Sequence, residues 1–193
     1  MLRMKTLLKQ INQCRLCENI LPFEPNPILQ ISNKSKILIL GQAPGAKAHQ
    51  KSIPFDDKSG DRLRAWLGVD KSQFYDDKLF AILPMGFCYP GRGKSGDLPP
   101  IPQCANTWRE ALLAKLTNVE LTILLGKYAI EWHLHSKAPI TELAKQWQLL
   151  LESKQIVLPH PNPRNNIWLK KNAWFESEVI PKLQQITKAI ITQ

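Results

Sequence analysis

The sequence predicts an α/β fold: a three-layer α/β/α sandwich with a central four-stranded parallel sheet. Three observations carry this reading. Four short apolar runs each stop at a turn residue, helical patterns separate them, and none of the four alternates apolar with polar residues. Strands without alternation are buried on both faces, as in a parallel sheet that helices cover from either side. Strands that alternate with helices wind into such a sheet.

The four runs are Lys36–Leu40 before Gly41, Leu79–Leu83 before Pro84, Leu121–Leu125 before Gly126, and Gln155–Leu158 before Pro159. A short amphipathic helix is expected at Met1–Cys14, where Leu is interspersed with Lys and Arg. Ser59 is suited to cap a helix that carries Leu63, Trp66 and Leu67 on one face. Trp108, Leu112, Leu113 and Leu116 give helical spacing to Pro102–Leu116. Lys127–His135 and Thr141–Leu150 are further helices, and a last one spans Phe175–Ile191 with a kink or restart at Pro181. Leu21–Lys34 and Tyr89–Ile101 contain prolines and read as ordered loops.

With 193 residues, 44% of them hydrophobic, the chain suffices for one domain with its own core. The expected organisation is a single domain over 1–193, with the helix and Cys-x-x-Cys segment of residues 1–34 packed on it. No stretch approaches the roughly 20 apolar residues that a membrane helix needs. The first residues also lack the apolar stretch of a signal peptide. A monomeric cytoplasmic protein with no membrane partner is expected. The formal charge of +10 attracts phosphate backbones, although a solvated basic surface gives the same count.

Two loops at strand ends carry the chemistry. Gly41-Gln42-Ala43-Pro44-Gly45 follows the first strand, and its glycines and proline make a tight turn with backbone N–H groups available to a cleft. It lacks the Lys-Ser/Thr ending of a phosphate-binding Walker loop. His160-Pro161-Asn162-Pro163-Arg164-Asn165 follows the last strand. Its prolines hold His160 at the carboxyl edge of the sheet, where ligands of open α/β sheets bind. Asn162, Arg164 and Asn165 add donors suited to phosphates or base edges. Either loop alone is most simply a turn.

Four cysteines form a second constellation. Cys14 and Cys17 make a Cys-x-x-Cys, and fifteen residues separate Cys88 from Cys104. In a cytosolic protein this set suggests metal rather than disulfides, and thiolates suit zinc or an iron–sulfur cluster. Four free buried thiols are the plain alternative.

Taken together, the two loops resemble the signature loops of the uracil-DNA glycosylase superfamily, the second being closest to a His-Pro-Ser-Pro-Arg-Asn form. Phe55, in Ile53-Pro54-Phe55, stands at about the position where that family places a ring over a flipped base. The cysteine spacing is similar to that of the superfamily's four-iron branch. The resemblance spans roughly Cys14 to Arg164. It implies a DNA glycosylase of base-excision repair, hydrolysing the N-glycosidic bond of uracil or another deaminated base in DNA. It implies that His160 stabilises the departing base and that Gly41, Ala43, Pro44, Gly45, Phe55 and Asn162 hold the base. By the same resemblance Gln42 attends the water, Arg164 and Asn165 meet DNA, and Cys14, Cys17, Cys88 and Cys104 bind a 4Fe-4S cluster, with zinc or no metal as alternatives. Arg92 and Lys94 are candidate backbone contacts.

The sequence departs from the family in two places. The first loop has no acidic residue to orient water, and Gln42 is a poor base; Asp56, Asp57 or Asp61 could substitute, although acids at a helix start more simply favour its dipole. Pro84-Met85-Gly86 stands where much of the family has an Asn that reads uracil. A catalytically weak or inactive protein that binds DNA or damaged bases is therefore the alternative function.

Overall fold

The computed structural model describes residues 3–94 and 96–193. All four apolar runs form strands. β1 (Ile37–Leu40) and β2 (Phe80–Ile82) precede a short antiparallel pair, β3 (Arg92–Gly93) and β4 (Gly96–Asp97), and then β5 (Leu121–Leu125) and β6 (Gln155–Leu158) follow. The main sheet has the order β2-β1-β5-β6, and every neighbouring pair in it is parallel. Gln30 bridges to Ile82, so the loop before β1 covers the exposed edge of β2.

Side chains along these strands point alternately to two faces, and each face has its own core. Ile37, Ile39, Phe80, Ile82, Ile123 and Ile156 pack on one side against α3 (Lys58–Leu67), α10 (Ile180–Ile191) and Phe175. Leu38, Leu40, Ala81, Leu124 and Val157 pack on the other against α1 (Met4–Asn12), α5 (Pro102–Leu113), α6 (Lys127–Leu134) and α7 (Ile140–Lys145). This is the three-layer arrangement expected from the sequence.

Several details differ from expectation. Asp57, not Ser59, caps α3: its carboxylate accepts the Gly60 N–H at 3.0 Å, and Ser59 lies buried inside the first turn. The Thr141–Leu150 segment is two short helices, α7 and α8 (Trp147–Glu152), broken at Gln146. The helix from Pro102 stops at Leu113 rather than Leu116. Phe175–Val179 is a wide π turn from which α10 restarts at Pro181, whose missing N–H costs nothing in a first turn. Short helices α2 (Ala46–Lys51), α4 (Lys71–Phe74) and α9 (Asn166–Lys171) fill stretches with no clear apolar period, and the β3–β4 pair forms within the expected Tyr89–Ile101 loop.

One buried cation stiffens the end of β2. Arg109 is fully buried, donates to the Pro84 carbonyl at 2.9 Å and lies 2.8 Å from His133 Nε2. Burial, reinforced by the neighbouring guanidinium, pushes His133 down to about 3, so it is neutral and accepts this bond. Burial also lowers Arg109, to about 10. No helix among the described residues is long and apolar enough to cross a membrane.

Candidate functional site

The carboxyl ends of β1 and β6 open on one cavity. Its walls are the Gly41–Gly45 turn, the Pro54–Phe55 turn with Asp57 and Ser59, Pro84 at the end of β2, Asp97 from β4, and His160 with Asn162. The cavity volume is about 110 Å³, comparable to the ~150 Å³ hole known to admit benzene. It is scaled to one six-membered ring. Of the residues expected here, Gly41, Gln42, Ala43, Pro44, Gly45, Phe55, His160 and Asn162 all line it. Arg164 and Asn165 do not.

His160 is held by its own loop. The Asn162 backbone N–H donates to His160 Nδ1 at 3.2 Å, and the Asn165 side-chain amide donates to the His160 carbonyl at 2.7 Å. Accepting at Nδ1 assigns the proton of the neutral ring to Nε2. Burial depresses the basicity of His160, opposed by the charges of Asp57 and Asp97, so the ring is a neutral donor near pH 7. Asn162 also caps the following 3-10 turn by accepting from the Arg164 N–H at 2.9 Å. Arg62 of α3 ties this loop down, donating to the Asn162 carbonyl at 3.3 Å and to Asn166 Oδ1 at 2.7 Å.

Phe55 is fixed as firmly. Its φ of +55° is a conformation that non-glycine residues avoid, and it persists because several contacts enforce it. Arg64 donates to the Phe55 carbonyl at 3.2 Å, Tyr75 donates to the Pro54 carbonyl at 2.8 Å, and Phe74 meets the ring edge-on. The ring lies 6.4 Å from the His160 ring, centroid to centroid. Gly60 makes the turn possible: a Cβ there would sit 1.6 Å from the Phe55 carbonyl oxygen.

The acidic residues sort themselves clearly. Lys51 and Lys71, each at 2.8 Å, hold the Asp56 carboxylate down at about 2. Asp61 pairs with Arg64 at 2.6 Å. Neither lines the cavity. Asp57 does, and so does Asp97, from the Tyr89–Ile101 stretch expected to be an ordered loop. A Gly-Asp pair in a loop carries no signal of its own; only the β3–β4 pairing aims it. One N–H of the Gln42 amide is engaged, since Nε2 donates to the Leu98 carbonyl at 2.9 Å, which leaves its second N–H and its oxygen toward the cavity.

The four cysteines converge at a second cavity, walled by Ile11, Leu16, Pro27, Phe87, Ile101 and Trp108 among others. The Phe87 N–H donates to Cys104 Sγ at 3.3 Å. Burial pushes two of the thiols up, Cys88 to about 11 and Cys104 to about 12, so these two need a bound cation to ionise near neutrality. The donor set suits a thiolate-bound group. Among the described residues, however, no three of His, Cys, Asp or Glu are gathered closely enough to hold a metal ion.

Ion pairs engage only Arg15, Lys51, Arg64 and Lys71 among the described residues, leaving most of the positive charge to solvent and partners. Replacing Gly60 by Ala should destabilise the protein by about 1–3 kcal/mol through overpacking, measured by urea unfolding. The stabilisation that Gly→Ala ordinarily brings to a helix would contradict the contact with Phe55. The family model described as the uracil DNA glycosylase superfamily matches residues 29–184. The match takes in every wall of the cavity except Ile28, and Cys14 and Cys17 also lie before it.

Proposed function

Since the chain belongs to the uracil DNA glycosylase superfamily, we propose that it excises uracil, or another deaminated base, from DNA. The observation that carries this reading is the joining of the Gly41–Gly45 turn, Phe55 and His160 around one ring-sized cavity. A base inside a duplex is out of reach, so the nucleotide turns outward and its base enters the cavity. Phe55 stacks on it, and the backbone of the Gly41–Gly45 turn lies against its edge. As the C1′–N bond breaks, its electron pair moves into the ring. The proton on His160 Nε2 hydrogen-bonds to the oxygen on which that charge gathers, a role a neutral buried imidazole fills without reorganising. Arg164 and Asn165, with Arg92 and Lys94, supply contacts to the DNA backbone, and the net charge of +10 supplies the long-range attraction.

The small cavity favours a pyrimidine over a purine. Pro84 offers no side-chain amide to read uracil, which keeps open a second reading: a protein that binds the everted base without turning it over. Incubating the protein with single-stranded and duplex oligonucleotides containing uracil, hypoxanthine or xanthine, followed by alkaline cleavage, separates the two. Cleavage at uracil is expected, slowed about 100- to 1,000-fold by His160→Ala. Binding with no cleavage at any of these bases supports the second reading.

We also propose that Cys14, Cys17, Cys88 and Cys104 hold a 4Fe-4S cluster. Four thiols facing one apolar cavity, with a backbone N–H donated to one sulfur, support it. A single zinc, bound by all four sulfurs at about 2.3 Å, is the alternative occupant of the same thiols. The cluster would fasten the α1 segment to the loop before α5, a structural duty apart from the chemistry at His160. Anaerobically purified protein should be brown and contain iron and sulfide, and a chelator should lower its melting temperature. Colourless protein with stoichiometric zinc, or with no metal, contradicts this.

A further inference from the structure

We propose that Asp97, carried on β4, is the carboxylate that positions and deprotonates the attacking water; this rests on the glycosylase reading above. The first loop offers no acid, yet the structure brings one to the same place from another part of the chain. Asp97 Oδ2 lies 3.5 Å from where a Cβ on Gly45 would stand, at the end of that loop. It lines the cavity together with His160, and its charge acts on the imidazole.

The short β3–β4 pair that carries Asp97 is fastened at several points. Gln42 binds the Leu98 carbonyl, and the Leu98 N–H binds the Gly91 carbonyl at 2.9 Å. The Arg164 guanidinium rests beside Gly96, 3.7 Å from where its Cβ would be. Gly91, at φ +100°, leaves no room for a side chain, since a Cβ would meet Pro22 at 2.9 Å. The pair therefore touches both signature loops and holds a carboxylate between them. Gln42 acts here as a positioning residue.

Two acids line the cavity, and their commitments differ. Asp57 gives one carboxylate oxygen to the Gly60 N–H and is thereby fixed to the first turn of α3. Asp97 makes no ion pair among the described residues, has the Tyr89 hydroxyl beside it, and is exposed to solvent, where a water has access to it. In the hydrolytic step, the water oxygen bonds to C1′ while one of its protons passes to an Asp97 oxygen. The C1′–N electron pair leaves with the base, and the proton on Asp97 returns to the base anion or to solvent. Every atom and charge is accounted for without another reagent.

The test is single-turnover excision of uracil by Asp97→Asn and Asp57→Asn across pH 4–9, with oligonucleotide affinity measured by fluorescence anisotropy. Asn caps a helix as well as Asp does, so Asp57→Asn keeps α3 intact. Asp97→Asn is expected to lose about 100-fold or more in rate, to bind the oligonucleotide as before, and to lose the rise of rate with pH on the acidic side. Asp57→Asn should lose less than about tenfold, below the effect of removing a general base. An unaffected Asp97→Asn, an equal loss in Asp57→Asn, or a parallel loss of affinity in Asp97→Asn overturns the inference alone. A wild-type protein that releases no base removes the glycosylase reading and this inference with it.

Discussion

The site depends on all four strands of the main sheet running in the same direction. β1 and β6 are not neighbours, because β5 lies between them. Parallel pairing nevertheless brings the turns that follow both to one edge. Two strand spacings of ~4.8 Å separate their ends by roughly 10 Å, room for a flat ring but for little more. The register of β1 is Ile37 opposite Phe80 on one side and Leu121 on the other. A slip of one residue in β1 would exchange Ile37 and Ile39 for Leu38 and Leu40 between the two cores.

α3 converts that spacing into a defined cavity. Gly60 in its first turn lets the Phe55 carbonyl approach, Arg64 grips the same carbonyl, and Arg62 reaches across to the loop of His160. One helix thus sets the position of the aromatic ring and of the imidazole relative to each other. On the far side of the sheet, Arg109, itself bonded to His133, holds the Pro84 carbonyl, so the third wall is anchored from beneath. The rigidity is useful because electrostatic stabilisation of a departing base is strongest when the donor does not have to move.

Much of this was legible in the sequence, for identifiable reasons. A strand buried on both faces must be apolar throughout, which exposed all four strands of the main sheet. The turn residues after them marked Gly41–Gly45 and His160–Asn165. Capping and short helices were harder: Asp57 and Ser59 are both good caps by residue type, and only the observed start at Lys58 gives the place to Asp57. Asp97 was invisible because its position comes from pairing between two-residue strands, whose pattern is too short to read. The engagement of Gln42 with Leu98 was hidden for the same reason.

The convergence of the two loops on an everted base is tested most directly by a crystal structure of the protein bound to duplex DNA carrying a non-cleavable deoxyuridine analogue. The account places the uracil ring in the cavity bordered by Gly41–Gly45, stacked on Phe55, with an oxygen within hydrogen-bonding distance of His160 Nε2. A complex in which that base remains stacked in the helix, or occupies a surface away from His160, contradicts it.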